Sequence, residues 1–105
     1  MIDVFIRKSG DHYTEWYVTG HAGYAERGKD IVCAAVSALT ITLENAMEAL
    51  ADVPVSKKQY VFRENARIYL PVPSDKTDLL IEAYKIGIEG LQEAYPNYVQ
   101  LHLET

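Results

Sequence analysis

The chain of 105 residues contains a single cysteine, and that scarcity already excludes much. A disulfide within the chain is impossible, and so is a zinc or iron–sulfur site built on several thiolates. Basic residues are also few: ten Lys and Arg face fifteen Asp and Glu, giving a net charge of −5 at pH 7. A chain of that sign is poorly suited to neutralise phosphates, so no direct nucleic-acid partner is expected. It suits a basic partner better. The three histidines, His12, His21 and His102, are scattered without a ligand-pair spacing, so neither a metal nor a cofactor is expected. Long apolar runs are missing too. The longest, Ile31 to Leu43, is interrupted by Ser37, Thr40 and Thr42, and predicts no membrane span. The start, MIDVFIRKSG, lacks the basic segment and apolar core of a signal peptide. A cytoplasmic protein with a reduced thiol is the expectation.

What is present is an ordinary globular composition, 49% apolar and 24% charged, at the length of one domain spanning residues 1–105. Ile2 to Arg7 is rich in β-branched and aromatic residues and predicts a strand. Ser9-Gly10-Asp11 supplies a turn, and Tyr13 to Thr19 predicts the second strand of a hairpin. Gly20 to Lys29, with Gly20, Gly23 and Gly28, reads as a loop. Asp30 is a suitable N-cap for a helix over Ile31 to Leu50, where Val32, Ala35, Val36, Leu39, Leu43, Ala46, Met47 and Leu50 keep helical spacing. Ala34 and Ala38 widen that apolar surface and predict a first half buried on most sides. Gln59 to Arg63 and Ala66 to Val72 predict two more strands. Ser74 caps a second helix ending near Tyr95, with Leu79, Leu80, Ala83, Ile86, Leu91 and Ala94 as its expected buried side, and Pro96 stops it. Gly87 and Gly90 weaken that helix and suggest close packing. Tyr98 to Leu103 predicts a last strand. The order β-β-α-β-β-α-β predicts an α+β two-layer sandwich: a mostly antiparallel sheet of about five strands, with two helices on one face.

Chemistry concentrates between Gly20 and Ser37. Cys33 lies three residues after the expected cap, in the first helical turn. The positive end of the helix dipole and the free N–H groups there favour thiolate, the nucleophilic form. A cysteine is also a common small core residue, and this position admits either role. His21 falls where the second strand ends. The loop Ala22–Lys29 is long enough to bring its imidazole to the thiol, where it could take the proton and return it to a leaving amine. Ser37, four residues after Cys33, shares its helical face and could orient His21, contact substrate, or bond back to its own helix. Tyr24, flanked by glycines, could close over a bound peptide. Gly23 to Lys29 also matches seven positions of a phosphate-binding loop, G-x-x-x-x-G-K. The eighth residue is Asp30 rather than Ser or Thr, and a carboxylate there repels phosphate.

Gly20-His21, followed by Cys33 within Asp30-Ile31-Val32-Cys33-Ala34-Ala35-Val36-Ser37, closely resembles the ribosomal-processing cysteine protease family, Prp. The element order extends the resemblance over essentially the whole chain. The resemblance implies a cysteine peptidase that removes the N-terminal extension of a large-subunit ribosomal protein during ribosome assembly. It places the family's histidine and cysteine on His21 and Cys33, and its Asp and Ser on Asp30 and Ser37. It also implies a homodimer and a movable loop, here Ala22–Lys29, that admits substrate. Combined with the helix-start chemistry, it makes the N–H groups of Val32 and Cys33 the candidate oxyanion donors. The alternatives that the residues leave open are a non-enzymatic ribosome-associated binding or assembly module and a redox-sensing thiol protein.

Overall fold

The computed structural model describes residues 1–26, 29–53 and 66–105. Its elements are β1 (Ile2–Ser9), β2 (His12–Gly20), α1 (Ile31–Ala51), β3 (Ala66–Tyr69), α2 (Asp75–Ala94) and β4 (Val99–Glu104). The class is α+β, as expected, with four strands in the described sheet rather than five. The strand expected over Gln59–Arg63 lies outside the described residues.

Strand order is β3-β2-β1-β4. The hairpin β1–β2 and the pair β2–β3 are antiparallel, whereas β1 and β4 run parallel, with Ile2 opposite Val99 and Arg7 opposite Glu104. The hairpin turns at Gly10-Asp11, where Gly10 takes φ 63°, the left-handed value that a first central turn position of this kind requires. A register shift at Arg7/Lys8 pairs Lys8 with Tyr13. Tyr13 is buried, and its hydroxyl donates to Glu82 of α2. Alternation does the rest. Ile2, Val4 and Ile6 of β1, Trp16 of β2, Ile68 of β3 and Val99 of β4 all enter one core.

Both helices begin at the residues their sequence predicts. Asp30 caps α1, and Ser74 forms a reciprocal capping box with Thr77 at the start of α2. From α1, Val32, Val36, Leu43 and Met47 are buried, but Ile31, Ala34, Ala38 and Leu50 are exposed, so its first half is covered on one side only. The helix runs past Leu43 to Ala51, and by length and composition alone it could cross a membrane; here it is a core helix packed on α2.

The expected buried side of α2 is corrected. Thr77, Ile81, Tyr84 and Ile88 face the core, while Leu79, Ala83, Ile86 and Ala94 face outward. Leu80 and Leu91 are half-buried. The reason is that α2 is apolar on two sides, and the side that wins carries the groups that satisfy one another when dry. Tyr84 and Thr40 of α1 share a hydrogen bond of 2.9 Å, and Thr40 donates to the carbonyl of Val36 at 2.8 Å. Gly87 is the point of close approach: a Cβ there would lie 3.0 Å from a methyl of Leu39 on α1. Gly90, in contrast, faces open space, so close packing explains only the first of these glycines.

Candidate active site

The site is built at the end of β2. Gly20 has φ 82°, and a Cβ there would collide with the carbonyl oxygen of Met1. Glycine alone lets the start of β1 lie that close, so Gly20 sets where the chain leaves the sheet and His21 begins. His21 is exposed, and Ala22 beyond it is buried in the core. The imidazole is thus carried between two fixed points. Gly23, at φ 66°, then turns the chain to Tyr24.

Tyr24 ties this loop to the rest of the molecule in two ways. Its N–H donates to Oδ2 of Asp30 at 3.2 Å. Its ring meets Tyr95 and Tyr98 edge-on, with centroids 5.6 and 5.1 Å away. Tyr98 accepts the N–H of Ile2 at 2.8 Å, so the loop, the start of β1 and the connection from α2 to β4 converge at one end of the molecule. Tyr95 and Tyr98 were absent from the sequence-based site. Nothing local marks them, since they lie some seventy positions from Tyr24 and look like ordinary packing residues.

Asp30 is the hinge of the arrangement. Its backbone is extended, with φ −79° and ψ 97°, and its Oδ1 accepts the N–H groups of Val32 and Cys33, each at 3.0 Å. Partial burial pushes its carboxyl up. The N–H groups of Cys33, Tyr24 and Ala25, with the Cys33 thiol, outweigh that and hold it below the ordinary value of 3.8. Cys33 itself is half-buried against the core, and Val32 is fully buried. Ser37 is half-buried one turn further along. Gly28 lies outside the described residues.

Thus the loop bearing His21 and the helix start bearing Cys33 are joined through Asp30. One expectation changes. The N–H groups of Val32 and Cys33 do not stand open as oxyanion donors, because the cap carboxylate already accepts both. An N-cap exists to satisfy the orphan donors of the first turn, and in the resting chain the residue that starts this helix occupies both.

A second polar cluster sits at the opposite, hairpin end. His12 Nδ1 lies 2.6 Å from Asp78, which also accepts the N–H of Tyr13 at 2.9 Å. With Asp75 the three side chains bring one ligand atom each within 4.8 Å, a spacing a cation could use; the bonds of His12 and Tyr13 to Asp78 clamp the hairpin to α2. His102 pairs with Asp3 at 2.8 Å and stacks on Phe5, which stacks in turn on Tyr17.

Comparison with known proteins defines the class first: this is a cysteine peptidase. The family described as cysteine protease Prp matches residues 1–100, and the chain belongs to that family. The ribosomal processing cysteine protease Prp of Bacillus subtilis (strain 168) is 32% identical over 108 residues, covering 96% of each chain. The crystal structure of SMU.848 from Streptococcus mutans superposes with a TM-score of 0.80 at 37% identity, covering 100% of this chain and 95% of that one. The Prp protease of S. aureus, solved with a covalently linked product peptide, has a TM-score of 0.85 at 24% identity, covering 99% and 100%.

Proposed function

We propose that this protease removes the N-terminal extension of a large-subunit ribosomal protein, with Cys33 as nucleophile and His21 as its acid–base partner. The observation that carries the reading is the Asp30 junction, which joins the loop of His21 to the helical turn of Cys33. The 32% identical relative, named for ribosomal processing, supports the substrate.

In this reading His21 takes the thiol proton and the Cys33 sulfur attacks the scissile carbonyl. The tetrahedral adduct collapses to a thioester as His21 gives its proton to the departing amine. His21 then draws a proton from water, whose oxygen attacks the thioester, and the thiol is restored with release of the N-terminal peptide acid. No cofactor enters. Ser37 and Gly23 support the site from the helix face and the loop. The acidic surface suits a basic ribosomal partner, with no direct nucleic-acid contact, in the cytoplasm.

A homodimer completes the reading, and exposed Leu79 and Ile86 on the outer side of α2 supply apolar surface for it. Sedimentation should return twice the chain mass for wild type and the single mass for Leu79→Lys/Ile86→Lys; a monomeric wild type removes this part alone.

The test of function is incubation with the extended ribosomal-protein precursor, read by intact mass, with Cys33→Ala alongside. Wild type should release one defined N-terminal peptide, and Cys33→Ala none. Equal cleavage by both would falsify the assignment of the nucleophile.

A further inference from the structure

The three hydrogen bonds at Asp30 create a conflict that the reaction must resolve. A peptide carbonyl brought to Cys33 needs hydrogen-bond donors for the charge that develops on its oxygen. The nearest backbone donors at the helix start, those of Val32 and Cys33, each lie 3.0 Å from Oδ1 of Asp30. Its second oxygen holds Tyr24, whose ring is packed against Tyr95 and Tyr98. One carboxylate therefore engages both donors, one of them the backbone N–H of Cys33 itself, and the loop at once.

We propose that Asp30 is a self-occupying plug: its carboxylate fills the oxyanion position in the resting enzyme, and Tyr24 latches it there until a peptide displaces it. This inference rests on Cys33 being the nucleophile. It makes Asp30 a positioning residue that restrains the free enzyme, beyond its role as a cap. A negative group in the place of the developing oxyanion is a mimic supplied by the chain itself. An extended peptide that competes with Tyr24 for the loop would loosen the latch, free the two N–H groups and present its own carbonyl to them. Peptides too short to reach Tyr24 would leave the plug in place, which restricts the thiol to proper substrates.

The experiment is the rate of Cys33 alkylation by iodoacetamide at fixed pH, followed by intact mass, in wild type, Asp30→Asn, Tyr24→Ala and Tyr24→Phe. The plug predicts a several-fold faster reaction for Asp30→Asn, which keeps the shape and removes the charge. It predicts acceleration for Tyr24→Ala, which loses the ring contacts, and a wild-type rate for Tyr24→Phe, which keeps them. Thermal melts of the same samples verify that each variant is folded. A helix cap without the plug role would lower the melting temperature and leave the alkylation rate alone. If Asp30 instead activates the thiol, Asp30→Asn slows it. Either of those results, in a protein whose wild-type thiol reacts, overturns the plug and leaves the nucleophile standing. A wild-type Cys33 inert to the reagent overturns both.

Discussion

At residue scale, Asp30 and Gly20 carry more than their size suggests. Replacing Asp30 by Ala removes the acceptor for two first-turn N–H groups, and should cost about 1 kcal/mol of stability by the usual worth of a cap. Its carboxyl is held below 3.8 in the folded chain, so that contribution is present above the unfolded value and is lost as pH falls through the folded one. Urea unfolding at pH 7 and at pH 3 should show the difference between wild type and Asp30→Ala shrinking in acid. A difference independent of pH would mean that the charge plays no part in the cap. Gly20→Ala should fare worse, since it meets both an adverse backbone angle and the carbonyl of Met1. The expected result is lowered melting temperature together with lost cleavage, because His21 is displaced along with the strand end; full activity at an unchanged melting point would show that the contact is dispensable.

At the scale of elements, much of the fold was legible because the informative signals are local. Asp30 and Ser74 announced both helix starts, and Gly10 announced the hairpin, since caps and turns depend on a few neighbouring residues. The buried face of α2 was not legible. Leu79-Ala83-Ile86 and Ile81-Tyr84-Ile88 both keep helical spacing, and periodicity cannot say which stripe meets the sheet. That choice depends on partners such as Thr40 of α1 and Tyr13 of β2, which belong to the tertiary structure. The same holds for the site. His21 and Cys33 stood out by type and position, whereas Tyr95 and Tyr98 come to Tyr24 only through folding. Two glycines in α2 give a direct test of packing. Gly90→Ala should stabilise by about 0.5 to 1 kcal/mol, the ordinary helix gain, because nothing opposes the new methyl. Gly87→Ala should gain less or lose stability, because Leu39 must yield. Equal gains in chemical denaturation would mean that the helices are not held that close. The hairpin clamp adds a pH test. The hydrogen bond from His12 to Asp78 raises the imidazole above 6.5, so its contribution is complete below that value and disappears as pH rises through the folded one. Melting temperatures of wild type and His12→Gln should converge in that direction; convergence in acid instead would refute the assignment.

At the scale of the whole molecule, the edge of the sheet at β4 is closed from within. The N–H of Leu101 donates to Gln92 of α2 at 2.6 Å, and that of Val99 to the carbonyl of Tyr95 at 3.1 Å. Two backbone donors that would otherwise invite a foreign strand are thereby spent, which argues against recruitment of a partner by strand addition over that stretch. Gln92→Ala should uncover one of them and increase aggregation on mild heating, as light scattering would report, whereas an unchanged onset would show that the edge needs no such cover. The active end is held by contacts that span the chain. Ile2, Gly20, Tyr24, Asp30, Tyr95 and Tyr98 meet there, though they are drawn from four stretches of sequence.

The parallel pairing of β1 with β4 also has a consequence in time. The strand made first lies inside the sheet, and one of its sides stays bare until residues 99–104 exist. Synthesis can deliver the β1–β2 hairpin and both helices, yet Ile2 to Arg7 must wait for a partner nearly the full length of the chain away. The anchor of Ile2 on Tyr98, and with it the seat of the loop that bears His21, is formed in that same late step. A chain assembled this way leaves Tyr24 and Ile2 without their Tyr95 and Tyr98 contacts while it is still emerging.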